Sequence, residues 1–103
     1  MAHDVFSGLA NPIRRDILTE LAAGPKSVTD LASRFEIGRP AVSEHLQVLR
    51  NIGLVQSEQV GQHRYYRLDA APLAEAAQWL AGFEQYWKER LRDLRSVLDE
   101  ENR

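Results

Sequence analysis

Polar groups that could do chemistry gather in one short run, Arg39-Pro40-Ala41-Val42-Ser43-Glu44-His45-Leu46-Gln47-Val48-Leu49. Val42, Leu46, Leu49 and Ile52 recur every three or four residues, so a helix over this run hides them along one side. Arg39, Ser43, Glu44 and Gln47 then lie on the opposite side, with His45 at the boundary. A hydroxyl donates or accepts, a carboxylate only accepts, and the Gln amide and Arg guanidinium each present polar atoms at fixed separation. This repertoire suits base edges in a major groove. Ser43 would pair either way, Glu44 would accept from a cytosine amine, Gln47 would pair with adenine, and Arg39 would reach guanine or phosphate. Catalysis lacks its parts: no nucleophile stands beside a base, and the sequence has neither a glycine-rich phosphate loop nor clustered carboxylates.

Two further places offer polar groups. Gln62, His63 and Arg64 follow Gly61 between two stretches of alternating character and would form the tip of a hairpin, with Arg64 the foremost phosphate contact. Lys26 and Ser27 precede a helical run, where free backbone amides attract phosphate, although Ser27 suits a plain capping role equally well.

The elements that must hold these groups are legible in the periodicity. Val5 to Leu9 forms a short first helix. Asn11-Pro12 opens a second, with Ile13, Ile17, Leu18 and Leu21 inward and Gly24-Pro25 ending it. Ser27-Val28-Thr29-Asp30 is a capping-box pattern, and the helix behind it turns Val28, Leu31, Ala32 and Phe35 inward. The link Glu36-Ile37-Gly38-Arg39 is short, with Gly38 expected to supply the unusual backbone angle. Pro40 opens the next helix and Gly53 closes it. Two helices joined so tightly cross sharply as a helix-turn-helix. From Leu54 to Leu68 the period drops to two, giving a hairpin whose Tyr65 and Tyr66 point to opposite faces, one of them into the core. A final helix carries Leu73, Ala76, Leu80, Phe83, Trp87, Leu91, Leu94 and Leu98 on one face. At 1.5 Å per residue it spans about 40 Å, too long for its own chain to cover.

The expected fold is therefore mainly α with a small β-hairpin, a winged helix-turn-helix with a long C-terminal dimerisation helix. Residues 1–103 read as one domain, with 4–68 as DNA-binding body and wing and 72–100 as the dimerisation helix. The formal net charge of −2 speaks superficially against a nucleic-acid partner, but it is unevenly spread. Five arginines face three glutamates between Arg34 and Arg67, while eight acids face four bases between Asp69 and Glu101. The sequence has no cysteine, which removes disulfides, thiolate metal sites and thiol switching. It also has no leader-like or membrane-length apolar run, so a cytoplasmic protein with no membrane partner is expected.

Val42-Ser43-Glu44-His45-Leu46-Gln47-Val48-Leu49, Gly53-Leu54-Val55, and Gly61 with Tyr65-Tyr66-Arg67-Leu68 together resemble the ArsR family of bacterial repressors, from about Leu9 to Leu68. The resemblance implies a repressor that sits on a promoter and blocks polymerase. It also implies that His45 braces and positions its helix rather than reading bases. Glu44, an acid beside phosphates, either reads a cytosine, penalises non-specific binding or is a plain surface residue. DNA-contact candidates are thus Lys26, Ser27, Arg39, Ser43, Glu44, His45, Gln47, Gln62, His63 and Arg64. Many members of the family sense metals, and here the sequence departs from them. Ser27 and Thr29 stand where paired cysteines would, and the three histidines, His3, His45 and His63, all precede the last helix. No metal or other cofactor is expected, with an improvised site at His3 or His63 the one alternative left open.

Leu73, Leu80, Phe83, Trp87, Leu91, Leu94 and Leu98 are the expected dimerisation residues. The aromatics Trp79, Phe83, Tyr86 and Trp87 admit two uses, a dimer core or an apolar-ligand pocket between subunits, so a small-molecule effector stays open. Pairing across a two-fold axis would set two recognition helices about one DNA turn apart, on an imperfect inverted-repeat operator in double-stranded DNA. A winged helix used for protein contact is the rival from a different class.

Overall fold

The computed structural model describes residues 4–101. Helix α1 (Val5–Leu9) starts where the Asp4 carboxylate accepts from the Ser7 N–H at 3.0 Å. Helix α2 (Pro12–Ala22) starts likewise, Asn11 accepting from the Arg14 N–H at 3.1 Å with Pro12 in the first turn. The two are locked by Arg14, whose guanidinium donates to the Gly8 and Ser7 carbonyls at 3.1 and 2.9 Å and satisfies the open end of α1. Ile13, expected inward, is exposed, and the core side of α2 carries Ile17, Leu18 and Leu21.

Strand β1 (Lys26–Ser27) leads straight into α3 (Val28–Phe35). Ser27 closes a full capping box: its hydroxyl accepts from the Asp30 N–H, and the Asp30 carboxylate accepts from the Ser27 N–H, both at 3.1 Å. The link to α4 (Arg39–Ile52) corrects one expectation. The left-handed residue is Glu36, at φ 53°, whereas Gly38 has an ordinary φ of −67°. Helix α4 ends on Gly53 at φ 91°, and the Leu54 N–H reaches back to the Leu49 carbonyl at 3.0 Å, so the last turn is satisfied as the chain turns into the sheet.

Strands β2 (Val55–Val60) and β3 (His63–Leu68) form the expected hairpin, with Gly61 at φ 62° in the turn. A strand not foreseen completes the sheet. Two-residue β1 pairs antiparallel with β3, Lys26 opposite Tyr66 and Ser27 opposite Tyr65, giving the order β1-β3-β2. A segment this short has no period to betray it. The core joins Val5, Ile17, Leu18, Leu21, Leu31, Val42, Leu46, Leu49, Leu54, Val55 and Ala76, so helices α1 to α4 and strand β2 are tied to one cluster, and helix α5 joins it through Ala76.

The C-terminal helix arrives in two pieces, α5 (Ala71–Ala81) and α6 (Glu84–Glu101), where one run over 72–100 was expected. At the joint, the Gly82 and Phe83 N–H groups bond three residues back, to the Trp79 and Leu80 carbonyls at 3.2 and 2.9 Å. Glycine is a poor helix former and tolerates the tightened turn, in which a Cβ on residue 82 would lie 3.3 Å from the Trp79 carbonyl oxygen. Every described residue of α6 is exposed. The radius of gyration of 16.9 Å exceeds the roughly 13 Å of a compact domain of this length, because this arm stands away from the body. Among the described residues no helix is long and apolar enough to cross a membrane.

Candidate nucleic-acid interface

Helix α4 is held by its aliphatic side. Val42 and Leu49 are fully buried and Leu46 is 1% exposed. Rotation or sliding of α4 would bring these side chains into water at about 1.5–3 kcal/mol each. Arg39, Ser43, Glu44 and Gln47 are exposed, with Glu44 and Gln47 opposite the buried row, Ser43 on its flank and Arg39 at the helix start, and His45 is half-buried at the edge. The outward stripe runs further than expected. Pro40, Glu44, Gln47 and Asn51, spaced four, three and four apart, point away from the buried row, and Gln47 Nε2 donates to Asn51 Oδ1 at 3.0 Å. Asn51 was missed because the motif quoted for the resemblance, Val42 to Leu49, ends before it, but its spacing from Gln47 was a signal.

The wing is ordered by its register. Ser57 opposes Tyr66 and Gln59 opposes Arg64, so these four share one face of the hairpin, and Tyr66 on that face packs against the core. Tyr65 takes the other face beside His63, ring centroids 6.4 Å apart. Arg64 is exposed near the tip, yet one of its guanidinium nitrogens donates to Ser57 Oγ at 2.9 Å, which ties the charge to the strand. Gln62 sits in the turn itself, and Gln59 stiffens that turn by donating to the Gly61 carbonyl at 3.1 Å.

Two expected contacts are engaged elsewhere. Both the hydroxyl and the N–H of Ser27 are committed to Asp30, and that carboxylate occupies the positive end of α3 where a phosphate would sit. The hydrogen bond from the Ser27 N–H holds the Asp30 carboxyl below the usual carboxylate range, the Ser27 side chain and the charges of Lys26 and His63 adding to the effect. Lys26 is half-buried in β1 and its Nζ donates to the Gly24 carbonyl at 3.4 Å. Ser27 thus caps α3. Among the described residues no three of His, Asp and Glu gather as a metal cage; His3 lies outside those residues.

A second surface is apolar. Leu80, Phe83, Trp87, Leu91, Leu94 and Leu98 are all exposed along α5 and α6, joined by Trp79, Tyr86, Val97 and, from α1, Phe6. Phe6 meets Trp79 edge-on at 5.5 Å, Trp79 meets Phe83 at 4.8 Å, and Phe83 meets Tyr86 at 6.3 Å, an aromatic ladder across the joint. Leu73, expected on this surface, packs against the chain's own core with Ala76.

A tightly crossed helix pair, an outward polar stripe on its second helix and a three-stranded wing define the class: a winged helix-turn-helix. The family described as bacterial regulatory protein, arsR family, matches residues 11–57. The transcriptional repressor SdpR of Bacillus subtilis is 32% identical over 81 residues, 79% of this chain and 90% of its own length. An HTH-type transcriptional regulator of Mycobacterium tuberculosis is 36% identical over 96 residues, 93% of this chain and 87% of its own. Among solved structures, an ArsR-like transcriptional regulator from Rhodococcus sp. RHA1 superposes with a TM-score of 0.73 at 34% identity, covering 93% of this chain and 88% of its own. A homodimeric winged helix-turn-helix DNA-binding domain from Mycobacterium bovis, a possible ArsR-family transcriptional regulator, gives 0.64 at 34% identity over 77% and 76%. The chain belongs to the arsR family of bacterial regulatory proteins.

Proposed function

We propose that this chain is a sequence-specific repressor that binds an imperfect inverted repeat in double-stranded DNA as a homodimer, in the cytoplasm where that DNA lies, and that it catalyses no reaction. One observation carries the reading: α4 buries Val42, Leu46 and Leu49 completely or nearly so while Arg39, Ser43, Glu44 and Gln47 are all exposed. A helix so presented fits a major groove, and its amide, hydroxyl and guanidinium groups match base edges there. His45 positions α4, and Arg64 with His63 and Gln62 supplies the backbone contacts of the wing. The naming of relatives as repressors and of a structural neighbour as a homodimeric DNA-binding domain supports the same reading.

Residues 4–68 serve as the DNA-reading body and wing, and α5 with α6 carries the pairing surface, with Leu73 and Ala76 of α5 packed on the body's own core. The aromatic ladder belongs to the dimer core, because the same exposed row continues into Leu91, Leu94 and Leu98, a length of apolar surface that a second copy would cover. The test is a mobility-shift titration on the promoter DNA of the regulated gene at several salt concentrations. Binding with log K falling linearly as log salt rises is expected. Absence of any shift at low salt would favour the winged helix as a protein-contact module.

A further inference from the structure

Resting on the reading of α4 as the DNA-reading helix, we infer that Asn51 is a positioning residue that sets the direction of the Gln47 amide and so sharpens the base preference Gln47 confers. Two independent features meet at Asn51. It lies on the outward stripe of α4, in line with Pro40, Glu44 and Gln47 and directly opposite the buried row of Val42, Leu46 and Leu49. It also accepts a hydrogen bond from Gln47 Nε2 at 3.0 Å.

The chemistry follows from the geometry of an amide. A glutamine recognises adenine with both ends at once, the oxygen accepting from N6 and the nitrogen donating to N7. A free glutamine side chain on a solvated helix face turns over, and its rotamer freedom must be given up on binding. Asn51 engages one of the two N–H groups of Gln47 Nε2, leaving the second N–H and the whole of Oε1 for a base. Gln47 and Asn51 are four residues apart, so the brace runs along the helix axis and holds the amide over the stripe instead of letting it fold sideways. Asn51 lies one turn further from the helix start than Gln47, and the start is the end that such helices direct at the bases, so its task is to hold Gln47. Nothing else on the exposed side of α4 is hydrogen-bonded side chain to side chain among the described residues, which makes Gln47 the one braced reader on that face.

The test measures relative affinity for operator variants carrying each base pair at the position where Gln47→Ala changes the preference. Asn51→Ala is expected to lower the preference at that position about fivefold, the worth of one ordinary hydrogen bond, while affinity for non-specific DNA stays within twofold. Asn51→Asp keeps an acceptor for Gln47 Nε2, so the preference is expected to survive although overall affinity falls from the added negative charge. In a Gln47→Ala background, Asn51→Ala is expected to change nothing further at that position. A loss of preference that persists without Gln47 would show that Asn51 touches DNA itself and overturn the inference, as would an Asn51→Asp variant that loses preference as fully as Asn51→Ala. Circular dichroism melts keep folding in view, and failure of the wild-type chain to bind any DNA would sink the reading of α4 instead.

Discussion

Leu94→Ala tests the pairing arm most quantitatively. In the single chain Leu94 is 55% exposed and its neighbour Leu91 51%, so about half of the leucine's burial is left for a partner to provide. Full burial of a leucine side chain is worth about 1.5–3 kcal/mol, and half of that is about 1 kcal/mol. A two-fold axis applies the loss to both copies, about 2 kcal/mol per dimer, which raises the dimer dissociation constant about thirtyfold. Alanine is a stronger helix former than leucine, so α6 should persist and the far-UV circular dichroism should hold. Sedimentation equilibrium over a concentration series gives the constant directly, with Ser96→Ala, on the opposite side of α6, as the control. Dimerisation unchanged by Leu94→Ala, or weakened equally by Ser96→Ala, would refute the assignment of this row to the interface.

Other expectations follow from the same geometry. Arg64→Ala should weaken binding to all DNA sequences alike and reduce the slope of log K against log salt by about 1, whereas Gln47→Ala or Ser43→Ala should alter base preference at defined positions; uniform losses from all three in binding titrations would contradict the division between wing and α4. Glu36→Gly should stabilise the chain by about 0.5–1 kcal/mol in urea melts, because a left-handed non-glycine residue costs about 1–2 kcal/mol and glycine returns part of that as chain entropy. A destabilised variant would mean that the Glu36 side chain does more than tolerate its angle. The Asp30 carboxyl titrates lower when folded, so its contribution is fully present above the ordinary carboxylate value near 4 and is lost as pH falls through the lower folded value. The advantage of wild type over Asp30→Asn in thermal melts should therefore be constant from neutral pH down to about 5 and shrink below about 4. An advantage that grew on acidification would reverse the sign of this linkage.

Much of the fold could be read because its helices carry strict periodicity and strong end signals. Val42, Leu46 and Leu49 named the buried side of α4, and Asn11-Pro12, Ser27 with Asp30, and Gly53 marked boundaries that the structure keeps. What escaped was decided by neighbours in space. Strand β1 exists only because β3 offers it Tyr65 and Tyr66 as partners. Ile13 was placed inward by spacing alone, yet that corner of α2 is occupied by Arg14 reaching across to the carbonyls of α1. Gly38 looked like the flexible point of the turn, but Glu36 takes the left-handed angle and closes α3. The break at Gly82 was overlooked because the apolar row from Leu80 through Phe83 to Trp87 keeps its rhythm across it. On α4, periodicity marked which polar residues are exposed, whereas the engagement of Ser27 and Lys26 within the chain and the tie between Gln47 and Asn51 needed coordinates.

The most direct measurement is a hydroxyl-radical footprint of the purified protein on the promoter of its regulated gene. Two protected stretches of related, inverted sequence, with centres about 10–10.5 base pairs or a multiple apart, are expected from two copies of α4 seated in successive major grooves. Protection of a single stretch, or none at concentrations that saturate binding in solution, would contradict the account.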